Sequence, residues 1–164
     1  MTPGINVAKK NKVSYRIHEY SHNESSESYG HEAAEKMGVP AERVFKTLVV
    51  SIDNQELVVG VIPVSSMLSM KLIAKAAGAK KAAMADKFDV ERSTGYVLGG
   101  VSPLGQRKRL KTIIDSSAKN YSTVYVSAGR RGLEIELSPD DLAKLTSGVL
   151  AEICQVDKGV SSEN

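Results

Sequence analysis

The chain has no tryptophan and a single cysteine, Cys154, and each shortage removes a class of protein. One thiol cannot form an internal disulfide, so the fold has to rest on its core, and a reducing compartment, the cytoplasm, is expected. A structural zinc site needs more thiols than that. The three histidines, His18, His22 and His31, do not stand at metal-ligand spacing either, so no metal and no other cofactor is expected. No apolar run approaches the roughly 18 residues that a helix needs to cross a bilayer, and Met1-Thr2-Pro3-Gly4 does not open a secretory signal; no membrane contact is expected. Aromatic residues make up 5% of the sequence, too few to bind a single strand by stacking on successive bases. Neither the phosphate-cradling Gly-x-x-x-x-Gly-Lys-Ser/Thr nor the Gly-x-Ser-x-Gly of serine hydrolases occurs. Cys154, in an apolar segment near the end, reads as an inert core thiol. Covalent catalysis thus lacks an obvious actor, and an enzyme on this chain has to work by positioning and oxyanion stabilisation.

What is present suits one compact domain. The 164 residues contain no linker-like stretch, so a single domain is expected over residues 1–154, followed by a disordered polar tail over 155–164. The net charge of +3 is small, but it is clustered at Arg107 to Lys111 and at Arg130-Arg131. Helices are signalled by caps: Thr2-Pro3, Ser69, Asp86 and Ser138-Pro139-Asp140-Asp141 each open one, and Gly30 to Met37 forms another before Gly38 and Pro40. Ser21 to Gly30 reads as a surface loop. Alternation or β-branched runs predict strands at Val13 to Tyr20, Val44 to Ser51, Leu57 to Val64, Lys80 to Met84, Thr112 to Asp115, Thr123 to Ser127, Leu133 to Leu137 and Val149 to Cys154. Short helices among many strands, without βαβ alternation, indicate an α+β fold with a mixed, mostly antiparallel sheet curled toward a barrel and helices at its periphery. Strand order stays open.

Two features point to a site. The run from Arg92 through Gly95, Gly99-Gly100 and Pro103 to Gly105 sets glycines among apolar residues, a composition that suits close backbone approach rather than a spacer. Paired glycines there can present backbone N–H groups to an anion or to a carbonyl oxygen under attack. Lys46 is the second. Alternation places it with Val44, Leu48 and Val50, where an ammonium has to reach a carboxylate, a pocket or an anion, or else escape to water from an edge strand. Tyr20 ends its strand on the face of His18 and suits a pocket lining. Ser127 and Glu134 flank the turn Gly129-Arg130-Arg131-Gly132 and come close in a hairpin, with either arginine available to Glu134.

The stretches Phe45-Lys46-Thr47-Leu48-Val49-Val50, Met84-Ala85-Asp86, Arg92-Ser93-Thr94-Gly95-Tyr96, Gly99-Gly100-Val101-Ser102-Pro103-Leu104-Gly105 and Tyr125-Val126-Ser127-Ala128-Gly129-Arg130-Arg131-Gly132-Leu133 closely resemble the YbaK family. The likeness runs from Met1 to about Ile153 and is nearer to the free-standing Cys-tRNA(Pro)/Cys-tRNA(Cys) deacylases than to the editing domain inserted in prolyl-tRNA synthetases. The resemblance implies an editing enzyme that removes cysteine from mischarged tRNA beside prolyl-tRNA synthetase, with tRNA and that synthetase as partners. By the same resemblance Lys46, Gly99 and Gly100 are catalytic, while Tyr20, Tyr29, Thr47, Ser127 and Glu134 bind substrate; Glu134 stands where some relatives carry Asp. It also implies that the thiol of the bound cysteine attacks its own ester and leaves as a cyclic thioester. The competing reading is a non-catalytic nucleotide or nucleic-acid-binding module that uses the basic stretches.

Overall fold

Two β-sheets meet at the start of one strand, and that junction fixes where the functional groups lie. The computed structural model describes residues 1–22 and 29–156. The first sheet has the order β1 (Tyr15–Glu19), β7 (Leu133–Leu137), β6 (Val124–Arg130), all antiparallel. The second has the order β4 (Ala82–Met84), β2 (Phe45–Ile52), β3 (Glu56–Pro63), β5 (Lys111–Asp115), β8 (Val149–Ala151). Pairing is antiparallel from β4 through β2 to β3 and parallel from β3 through β5 to β8. A lone bridge, Val44 with Tyr125, ties the two sheets together. The α+β class and the mostly antiparallel pairing agree with expectation, but the strands form two open sheets rather than one curling into a barrel.

The helices begin where their capping residues stand. Thr2 Oγ1 accepts the Ile5 N–H at the head of α1 (Pro3–Lys10), and the same hydroxyl donates to the Ala128 carbonyl, docking the helix on β6. Helix α2 covers Tyr29–Met37. Ser69, Asp86 and Ser138 accept the N–H of Leu72, Asp89 and Asp141 at 3.1, 2.9 and 3.1 Å, opening α3 (Met70–Ala76), α4 (Lys87–Thr94) and α5 (Pro139–Thr146). Gly95, at φ +81°, stops α4 and releases the chain into the glycine loop.

Side-chain alternation on β2 and β3 splits the interior. Phe45, Val49, Val59 and Val61 pack with Val124, Val126, Ile135 and Leu137, while Val50, Ile52, Val58 and Ile62 pack with Leu68, Ile73 and Ile153 beneath α3. Helix α2 adds a third, small cluster, bringing Ala33 and Ala34 onto Val44, Val64 and Tyr125. Several expected boundaries shift. β1 is shorter than Val13 to Tyr20, and Ile17 on it is 39% exposed. Short 3-10 turns at Ala41–Arg43 and Ser116–Asn120 interrupt what read as plain connections. The last strand stops at Ala151, leaving Cys154 only a single bridge to Leu68. Gln155 is tied to Met67 and Leu68 through its N–H and its amide, so the packed chain runs past residue 154; the rest of the expected tail, 157–164, lies outside the described residues, as do 23–28 of the expected loop.

Candidate active site

Because the chain entering β2 is bridged to β6 at Val44–Tyr125 alone, residues from both faces of β2 reach the space beside it. There a cavity of about 310 Å³ is lined by Val44 and the first four residues of β2, Ser127 and Glu134 of the β6–β7 hairpin, Tyr20 after β1, Tyr29 and Gly30 of α2, Leu98, Gly99 and Val101 of the glycine loop, and Arg131. The volume lies at the small end of ordinary ligand sites.

Lys46 stands in that wall, on a stretch of β2 that pairs with β3 at Ile62 but lies beyond the reach of β4, which covers β2 only at Val50–Ile52; its side chain lines the cavity. Its ammonium has no ion pair or hydrogen bond among the described residues, and burial holds its pKa below the ordinary lysine value. Glu134 is the opposite charge type in the same condition. It sits directly across from Ser127 in the hairpin, as its spacing predicts, and is 7% exposed. Neither arginine of the turn takes it: Arg130 pairs with Glu19 at 3.0 Å and Arg131 with Glu32 at 3.0 Å. Burial without a partner pushes its carboxyl up to about 8, so it is largely protonated at neutral pH.

The neighbouring hydroxyls complete a set of polar groups with spare capacity. Thr47 Oγ1 is buried with no hydrogen-bond partner among the described residues. Ser127 Oγ accepts the Gly129 N–H at 3.1 Å, which leaves its proton available to a ligand. Tyr20 is pushed up to about 12 by burial and then by the Glu134 and Glu32 charges, and remains a neutral phenol. No histidine or cysteine lines the cavity among the described residues. His18 is bonded to Glu136 at 2.8 Å, and the Cys154 thiol is raised to about 12 by burial and by Asp115. Neither is a nucleophile or base for this site.

The glycine loop is braced from within: Tyr96 Oη donates to Leu104 O at 2.6 Å, and the Leu104 N–H to Ser102 Oγ at 3.1 Å. Its two adjacent glycines do different work. Gly99, at φ +93°, lines the cavity, its N–H makes no hydrogen bond among the described residues, and a Cβ on it would collide with Tyr29 Cε2. Gly100 does not line the cavity. Its N–H is spent on Val97 O at 3.0 Å, and a Cβ would lie 2.9 Å from Arg130 Cα, so it is there for close passage over the hairpin turn. Seven of the eight expected residues, Lys46, Gly99, Tyr20, Tyr29, Thr47, Ser127 and Glu134, thus share one cavity, and Gly100 supports it from behind. The sequence reading missed Arg131 and Gly30 as lining residues. A glycine inside the helix it opens, where a Cβ would lie 2.3 Å from Val64 Cγ1, is the one local signal of that contact.

Cavity, hairpin and glycine loop together define a class. A model described as the aminoacyl-tRNA editing domain matches residues 24–145, and the chain belongs to that family. Among individual relatives, it is 40% identical over 152 residues, 93% of this chain and 92% of the other, to EbsC of Enterococcus faecalis, which is named as a candidate Cys-tRNA(Pro)/Cys-tRNA(Cys) deacylase. It is also 29% identical over 133 residues, 80% of this chain and 84% of the other, to the Bacillus subtilis protein YwhH. The fold recurs in the crystal structure of the hypothetical protein APE2540, with TM-score 0.83 and 25% identity over 93% of this chain and 99% of that one. It recurs again in a structure described as a trans-editing enzyme for prolyl-tRNA synthetase, with TM-score 0.80 and 19% identity over 95% and 99%. No helix among the described residues is long and apolar enough to cross a membrane.

Proposed function

We propose that this protein edits in trans: it hydrolyses the ester of cysteine mischarged on tRNA(Pro), acting beside prolyl-tRNA synthetase in the cytoplasm. One observation carries the reading. The cavity concentrates an unpaired ammonium, an unpaired carboxyl and an orphan hydroxyl, yet holds no histidine or cysteine among the described residues. Such a site can hold and polarise an ester but has no activated nucleophile of its own.

The cysteine of the substrate supplies what is missing. A thiol is a few per cent thiolate at neutral pH and is intrinsically nucleophilic. Its sulfur bonds to the ester carbonyl carbon, the carbon–oxygen bond to ribose breaks, and the thiol proton ends on the ribose oxygen. Water then opens the cyclic thioester to free cysteine. Lys46 offers a cation to the ribose and phosphate end, and the Gly99 N–H, free of internal bonds, faces developing charge on the carbonyl oxygen. Ser127, Tyr20 and the protonated Glu134 fix the amino acid through hydrogen bonds. Good alignment alone lowers such a barrier by about 7–11 kcal/mol.

Purified protein incubated with Cys-tRNA(Pro) and, separately, Pro-tRNA(Pro) tests the reading. Release of cysteine with prolyl-tRNA left intact is the expected result. Retention of both amino acids together with a gel shift would replace the enzyme by a binding module.

A further inference from the structure

Arg131 sits on the turn between β6 and β7, yet its side chain belongs to α2. Its Nε and Nη2 donate to Glu32 Oε1 at 3.3 and 3.0 Å, and its guanidinium carbon lies 3.8 Å from the centre of the Tyr29 ring. Glu32 is buried and Arg131 half-buried, with side chains 5% and 16% exposed. The Cδ2–Cε2 edge of the same ring meets Gly99, where no Cβ fits. The backbone of the turn, at Arg130 and Arg131, is what Gly100 passes over. Two segments far apart in sequence therefore meet one aromatic ring, the glycine loop at its Cδ2–Cε2 edge and the turn arginine over its face, while Glu32, one helical turn further along α2, holds that arginine in place. A planar guanidinium both forks to a carboxylate and stacks on an aromatic face, which lysine does not do.

We infer that Arg131 is a specificity-determining positioning residue: by clamping the Tyr29 ring against Gly99 it fixes the side wall of the cavity and restricts it to small amino-acid side chains. This rests on the editing function proposed above. Arg131 acts through Tyr29, so its loss matters less for the reaction of a cysteinyl ester than for exclusion of something larger. At 43% exposure and the first position of its helix, the phenol is held by these contacts rather than by burial.

The test compares tRNA(Pro) charged with cysteine and with penicillamine, which presents the same thiol on a carbon bearing two extra methyl groups. The wild type is expected to prefer cysteine at least tenfold in kcat/KM. Arg131→Lys and Tyr29→Ala each reduce that preference about tenfold, mainly by accelerating the bulkier substrate, and the double variant goes no further than Tyr29→Ala. Equal losses on both substrates, or additive effects in the double variant, overturn the proposal. Spectra of 13C-tyrosine-labelled protein, with the Tyr29 signal assigned through Tyr29→Phe, give a readout independent of turnover. That signal is expected to move in Arg131→Lys while the melting temperature stays within a few degrees; an unmoved signal rejects the clamp even in a protein that cleaves Cys-tRNA(Pro) normally. A wild type inert on Cys-tRNA(Pro) would instead sink the functional reading, with the spectra still reporting on the clamp.

Discussion

Glu134 and Glu136 lie two residues apart on β7 and face the same side of their sheet, yet they live in opposite conditions. Glu136 is satisfied: His18 Nε2 lies at 2.8 Å, the Thr123 hydroxyl donates to it at 2.6 Å, and Arg43 stands at 3.8 Å while its guanidinium also reaches the Thr123 hydroxyl and carbonyl. Burial works to raise its pKa, but the hydrogen bonds from Thr123 and His18 and the nearby positive charges outweigh that and hold it below the ordinary glutamate value. Glu134 has the burial without the partners and rises to about 8. The first arrangement ties the Ala41–Arg43 turn, and with it the start of β2, to the first sheet; the second leaves polar capacity unspent beside a cavity. A protein gives up stability at the place where it needs reactivity.

Four substitutions sharpen or break that contrast. The largest effect belongs to Lys46→Ala. Deacylation of Cys-tRNA(Pro) is expected to fall at least a thousandfold in kcat/KM, a loss of about 4 kcal/mol of transition-state stabilisation. Its melting temperature should stay within a few degrees, because a half-buried ammonium without a partner contributes little to the fold. Normal turnover by this variant would remove Lys46 from the site.

Glu134→Gln comes next and is read by pH. A carboxyl whose folded pKa is raised binds its proton more tightly in the native state. Its contribution to stability is therefore full below the ordinary value of 4.5 and is lost as pH rises through about 8, with a slope of at most about 1.4 kcal/mol per pH unit. Denaturant titrations should show the glutamine variant gaining on the wild type steadily from pH 5 to pH 8. Parallel stability curves would mean that Glu134 is already ionised and paired.

Glu136→Gln should behave in the reverse sense. Its depressed pKa stabilises the fold above the ordinary glutamate value and loses that contribution as pH falls through the folded value. Glutamine is expected to cost about 1–2 kcal/mol at pH 7, less at acid pH, with kcat/KM within threefold of wild type. A large activity loss at unchanged stability would carry the site across to this cluster. Gly99→Ala adds about 1–2 kcal/mol of backbone strain at positive φ. Even so, the shift this strain imposes on the Gly99 N–H should lower kcat/KM on Cys-tRNA(Pro) by roughly tenfold.

Much of the fold was legible because its signals are local. Thr2-Pro3, Ser69, Asp86 and Ser138-Pro139 mark their helices within a residue, and the Phe45–Ile52 and Glu56–Pro63 hairpin follows from two β-branched runs around a polar turn. The Lys46 strand and the facing of Ser127 and Glu134 were equally readable, since alternation and a short turn decide both. What escaped depends on contacts between distant segments. The parallel pairing of β3 with β5 and of β5 with β8 joins strands separated by long connections. The Arg131–Glu32 pair, 99 residues apart, has no sequence spacing to announce it. Gly99 and Gly100 look alike in the sequence, and only their neighbours, a phenol ring and a turn backbone, tell them apart.

The account turns on the substrate carrying its own nucleophile. Single-turnover cleavage of tRNA(Pro) charged with cysteine and with serine, which differ by one atom, tests that most directly. Cysteine should be released at least a hundredfold faster, with binding of the two substrates within about fivefold. Equal rates would show that the protein or a bound water attacks the ester, and would contradict the central claim.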